Sequence, residues 1–167
     1  MPEKKTLERA RKDKREGKSA STQAGEFVKE EMHHIREGKH GARSAKQAIA
    51  IGLSKARRAG VDLAPPEKGK TSERTRKNAE RDVERGQSKS KSKPSSRRSR
   101  AVEGALKREG HAAASHRALS KQAHSAARNR TAADRSQAAK KAARTKGKKG
   151  RSQAARKAAR TRKAHQS

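Results

Sequence analysis

Lysine and arginine are the residues of this chain whose spacing sets up chemistry, and that chemistry is the neutralisation of closely spaced phosphates. The segments RSQAAKKAARTK at 135–146 and RSQAARKAARTR at 151–162 repeat 16 residues apart, with LSKQAHSAARNR at 119–130 as a looser copy. On a helix, Ala138, Ala139, Ala142 and Ala143 cover one side of a unit while Lys140, Lys141 and Arg144 cover the other. The tail's candidate phosphate-binding residues are Arg128, Arg130, Arg135, Lys140, Lys141, Arg144, Lys146, Lys148, Lys149, Arg151, Arg156, Lys157, Arg160, Arg162 and Lys163. Lys39 and Arg43 join them from an upstream loop, residues 38–43. There, glycines let backbone N–H groups turn toward an anion, and a helix capped by Ser44 adds its positive end.

Other chemistries find less support. GKTS at 69–72 has the ending of a phosphate-binding loop, but Ala64 stands where that motif needs glycine and Pro65 and Pro66 stand where a strand should end. His33, His34 and His40 form a histidine group without cysteine. Neighbouring helical residues diverge by about 100°, so this group reads as a solvated helix end rather than a metal site. Glu26, Glu30, Glu31 and Glu37 read as solubilising carboxylates paired with local cations. No nucleophile, base and acid converge in any pattern, and cysteine is absent, so neither catalysis nor a cofactor is expected.

Positive charge rises toward the C-terminus. The chain holds 48 Lys+Arg against 17 Asp+Glu in 167 residues, a net charge of +31; residues 1–85 carry 23 basic and 14 acidic side chains, residues 86–167 carry 25 and 3. A polycation of that density calls for a polyanion. Phe27 is the whole aromatic content, so modules that stack bases on aromatic platforms are excluded. The apolar residues near the cations are alanines, which argues against a membrane surface. No run reaches the roughly 18 apolar residues of a span and no apolar leader opens the chain, so a cytoplasmic, nucleoid-associated protein is expected.

The elements that must position these groups are helical. Residues 1–20 read as a charged N-terminal arm, a fraying helix anchored by Leu7 and Ala10 alone. Residues 21–65 read as a helical hairpin. Its first helix, capped at Ser21 or Thr22 and ended at Gly38, carries Val28, Met32 and Ile35 on one face. Its second runs from Ser44 to Gly60 with Ala45, Ile49, Gly52, Leu53 and Ala56 facing the first and Ala48, Ile51 and Lys55 facing out. That outward set lacks the Asn, Gln and Arg mixture of a base-reading helix. Residues 66–100 read as an unpacked polar linker rich in Ser, Lys and Arg, with an unpacked helix over 72–85, 101–130 as a weak helical pair, and 131–167 as the basic repeat tail, its units separated by Gly147 and Gly150. Hydrophobic residues are 28% and mean hydropathy is −1.40, too little burial to offset about 1–2 kcal/mol of backbone entropy per residue. The expected fold class is therefore mainly α with extensive disorder: a small hairpin plus a flexible, transiently helical tail.

KQAIAIGLSKAR at 46–57, preceded by GKHGARSA, resembles the signature of small, basic bacterial and phage proteins of unknown function built around KQAIAIALSEA. The resemblance covers residues 25–61, with Gly52 in place of alanine, Lys55 in place of an acidic residue, and a long tail that short members lack. Longer relatives with such a tail carry DNA-binding or plasmid-stabilisation labels, so the resemblance implies DNA association. The AAKKAARTK units also resemble the tails of linker histones and bacterial histone-like proteins, which implies DNA condensation. The expected function is sequence-nonspecific DNA binding through the phosphate backbone. The alternatives are an RNA- or ribosome-associated protein, or an adaptor whose hairpin self-associates or binds a protein partner while the tail localises it.

Overall fold

The computed structural model describes residues 2–88 and 95–164. The middle of the expected linker, 89–94, and the end of the tail, 165–167, lie outside the described residues. Among the described residues the chain forms seven α-helices: α1 (Lys4–Arg15), α2 (Ala20–Arg36), α3 (Ala45–Arg58), α4 (Glu73–Gln87), α5 (Ser96–Lys107), α6 (His116–Arg128) and α7 (Ala132–Ala164). A single 3-10 turn, Ala112–Ala114, precedes α6. Two compact units result, Met1–Gln122 and Ala123–Ser167.

Helices α2 and α3 form the centre of the first unit. Ser19, two or three residues before the positions proposed from sequence, caps α2 by accepting from the Thr22 N–H, and Gly38, with φ +73°, lets the chain leave it. Ser44 caps α3 by accepting from the Gln47 N–H, and Gly60 follows its end. The two helices cross where Gly52 meets Val28. A Cβ at Gly52 would sit 2.7 Å from the Val28 Cα, so only glycine allows this approach. Met32, Ile35, Ala42, Ala48, Ala113 and Ala114 form one buried cluster, with Val28, Ile49 and Leu119 against it. Ala10, Ala24, Phe27, Ala56 and Val61 form another, flanked by Leu7, Leu53 and Leu63.

The structure overturns the expectation of extensive disorder. Residues 1–20 do not fray as an arm: α1 packs on α2 through Thr6, Ala10 and Asp13, which are buried. The Glu3 N–H donates to Glu30 Oε1 at 2.9 Å, and Arg9 pairs with Glu26. Nor is the segment after Pro66 an unpacked linker. Helix α4 docks on α3 with Ala79 buried, the Ser54 hydroxyl donates to the Asp82 carboxylate, and Arg76 bridges Glu73 and Glu80. Polar contacts supply here what a hydrophobic count overlooks. Ala48 and Lys55 also turn inward rather than out. Ala48 is fully buried against the 3-10 turn side, and Lys55 pairs with Glu31.

The tail is likewise helical rather than transiently so. Ala, Lys, Arg and Gln carry the smallest helix penalties, and each arm is at or above the roughly 12–15 residues below which isolated helices are marginal. Helix α7 has no buried residue, and Gly147, with φ 62° and ψ 179°, breaks it into two arms. No described helix is long and apolar enough to cross a membrane.

Candidate nucleic-acid interface

The two arms of α7 carry thirteen lysines and arginines against one acid, Asp134. At a rise of about 1.5 Å per residue, net positive charges recur about every 4 Å along the arms, the same order as the 1.7 Å axial charge spacing of a duplex. Every tail residue singled out from sequence that lies in α7 is exposed: Arg135, Lys140, Lys141, Arg144, Lys146, Lys148, Lys149, Arg151, Arg156, Lys157, Arg160, Arg162 and Lys163. Arg128 ends α6 and Arg130 lies in the turn that follows, both exposed.

Placement on each arm follows from the repeat. Lys140, Lys141 and Arg144 share an arc of about 100° on the first arm, and Arg156, Lys157, Arg160 and Lys163 share one of about 120° on the second. Alanines occupy the opposite side of each. No residue of α7 is buried. Two guanidiniums turn back on the helix: Arg135 donates to the Arg130 carbonyl at 2.9 Å and Arg151 to the Gly147 carbonyl at 3.3 Å. Thr131 and Asp134 cap α7 reciprocally, each side chain accepting from the other's backbone N–H.

The hairpin loop differs from the anion clamp sketched from its glycines. Its backbone donors already have partners inside the protein: the Gly41 N–H donates to the Leu106 carbonyl at 2.9 Å and the Ala42 N–H to the Gly110 carbonyl at 3.1 Å. The Arg43 N–H donates to Gln47 Oε1 at 2.8 Å. Lys39 points its ammonium at Glu37, 3.0 Å away, and at Glu3, 3.4 Å away. These carboxylates, Glu37 foremost, raise its pKa and keep it charged. Lys39 and Arg43 remain exposed heads beside the loop rather than arms of a backbone cradle.

A second polar cluster was not foreseen. Glu30 and Glu31, read as solvated from sequence, are 3% and 0% exposed. His34 is half-buried between Glu3 and Glu30, and His40 lies against Glu31, whereas His33 is exposed. A signal existed in the sequence: Glu31-x-x-His34 places both side chains on one helix face. The turn at Gly38 that returns His40 to that face carries no such local signature.

Residues 14–68 match the profile of a family of unknown function (DUF6496). The match runs from the last turn of α1 through α2 and α3 and ends before α4; the basic tail lies outside it. Neither a search of curated proteins nor a search of solved structures finds a match.

Proposed function

We propose that this protein binds double-stranded DNA through its phosphates, without reading base sequence, in a histone-like and nucleoid-associated role. One observation carries the reading: α7 sets thirteen cations and one acid on two helical arms with no buried residue, so nothing within the helix competes for most of those charges. Neutralising phosphates releases condensed counterions, which gives affinity without sequence information. Asn and Gln, which read adenine by paired hydrogen bonds, are sparse there, and the repeats set Lys and Arg opposite alanine without the mixed polar set of a base-reading helix. The first unit then acts as a folded head that carries these arms. On this reading the protein is not an enzyme, and its cellular partner is nucleic acid rather than membrane.

Fluorescence anisotropy with unrelated DNA duplexes of equal length tests the reading. Affinities should agree within a few-fold at one salt concentration. A preference of a hundredfold for one sequence would contradict it. An RNA duplex of the same length is the second arm, and markedly tighter binding to RNA would transfer the function to the RNA- or ribosome-associated alternative.

A further inference from the structure

The geometry points to a divalent transition-metal site, of the zinc class, formed by Glu31 and His34 of α2 and His40 of the loop after it. The ligand atoms of these three residues lie within 4.8 Å of one another. Glu31 and His34 are three residues apart and share a helix face. The turn at Gly38 then folds the chain back, so that the His34 and His40 rings meet edge to face with centroids 6.0 Å apart. Two imidazoles on one tetrahedral zinc, with Zn–N of about 2.0–2.1 Å, place their centroids about 5 Å apart, so the rings would close by about 1 Å on binding.

His40 supplies the second, independent sign. Its Nδ1 is 3.1 Å from the Gly41 carbonyl oxygen, an atom that only accepts, so Nδ1 carries the proton. Such a bond from one ring nitrogen to a backbone carbonyl is how metal-bound histidines are commonly oriented. Nε2 faces Glu31 Oε1 at 3.2 Å. Yet Oε1 is buried and accepts no hydrogen bond. That buried oxygen, facing a ring nitrogen and without a hydrogen-bond donor, is where a cation would sit. In a tetrahedral zinc site, neighbouring ligand atoms are about 3.3 Å apart, close to that separation.

The surroundings fit such a site. Lys55 holds the other oxygen of Glu31, fixing the carboxylate and leaving Oε1 for the metal. Glu3 Oε1, 2.9 Å from His34 Nε2, orients that ring. Glu30 keeps a second buried oxygen without a hydrogen-bond donor and adds negative potential nearby. His34 also lines a cleft of about 290 Å³ with Glu3, Glu30 and Lys39. Two imidazoles and one carboxylate suit zinc, iron(II) or cobalt(II) rather than calcium or magnesium, and they leave a fourth position for water. The ion would tie the end of α2 to the following loop and so brace the first unit.

The test titrates the full chain with zinc alone. One zinc per chain should bind, and the thermal midpoint should rise with zinc concentration. Glu31→Gln and His40→Ala should each weaken affinity at least tenfold, because loss even of groups that only orient a ligand costs about 10–100-fold. His33→Ala, outside the cluster, should change affinity less than twofold. Should the Glu31 variant fail to fold, cobalt(II) on the unaltered chain decides: intense visible absorption marks four- or five-coordinate binding. Zinc affinity unchanged by both ligand substitutions, or a weak octahedral cobalt spectrum, would overturn the site and leave a buried Glu31–Lys55 ion pair only.

Discussion

Arg57 is unlike the other cations because it is 8% exposed and its guanidinium serves the fold. It donates to the Leu63 carbonyl at 3.1 Å and to the Ala64 carbonyl at 3.2 Å, clasping the segment that leads into Pro65. Burial pulls its pKa down, and the nearby Asp82 charge pushes it partly back. Arg57→Met should therefore lower the stability of the full chain by about 1–3 kcal/mol, since the two hydrogen bonds that the guanidinium gives the segment after α3 are lost. Urea unfolding checks this, and an unchanged midpoint would mean the clasp carries no stability. Between α1 and α2, Lys18 makes ion pairs of 2.8 Å with both Asp13 and Glu16. The hydrogen bond from Lys18 holds the Glu16 carboxyl below its ordinary 4.5. A carboxyl depressed in the folded state adds stability above pH 4.5 and loses it as the pH falls through the lowered value. Carboxyl chemical shifts should show Glu16 titrating below 4.5 in the parent and near 4.5 in Lys18→Ala.

Among the elements, the crossing of α2 and α3 rests on Gly52. Alanine there would gain about 1 kcal/mol of helix propensity, but its Cβ meets backbone at 2.7 Å, and overpacking of this kind costs about 1–3 kcal/mol. Backbone cannot rotate aside, so the clash wins. Gly52→Ala should lower the urea midpoint, and a higher one would show that the helices do not meet there. Gly147 matters differently, because its φ of 62° with ψ 179° is open to little but glycine. Gly147→Ala should join the two arms of α7 into one helix, raising helicity by circular dichroism. On a continuous helix, units 16 residues apart face about 160° away from each other, so one arc would leave the duplex. The slope of log K against log salt should then shallow by about 3 units. The hairpin was legible because Ser44, Gly38 and Gly60 are local stop and start signals that need no partner. The docking of α1 and α4 was not, since Thr6, Asp13, Ala79 and the Ser54–Asp82 pair leave no apolar periodicity to read. The tail's cations were visible in composition alone, whereas its helicity follows from alanine propensity that burial arithmetic ignores. The Glu31, His34 and His40 cluster needed the fold, because a turn joins its parts.

Across the whole molecule, charge is divided by use. In the first unit, carboxylates of Asp13, Glu26, Glu31 and Asp82 are engaged by Lys18, Arg9, Lys55 and Ser54, so much of its charge is internal. In the tail, fifteen lysines and arginines from residue 123 onward face a single acid. That asymmetry predicts where the salt dependence of DNA binding resides. The direct measurement is the slope of log K against log salt for one duplex, with the full chain and with a chain ending at Asp134. Each phosphate neutralised contributes about −0.9, and the two arcs of α7 offer seven cations, so the truncation should shallow the slope by about 6 units while the helicity of the first unit stays the same. A slope that the truncation leaves unaltered would contradict the account and move binding into the helices of the first unit.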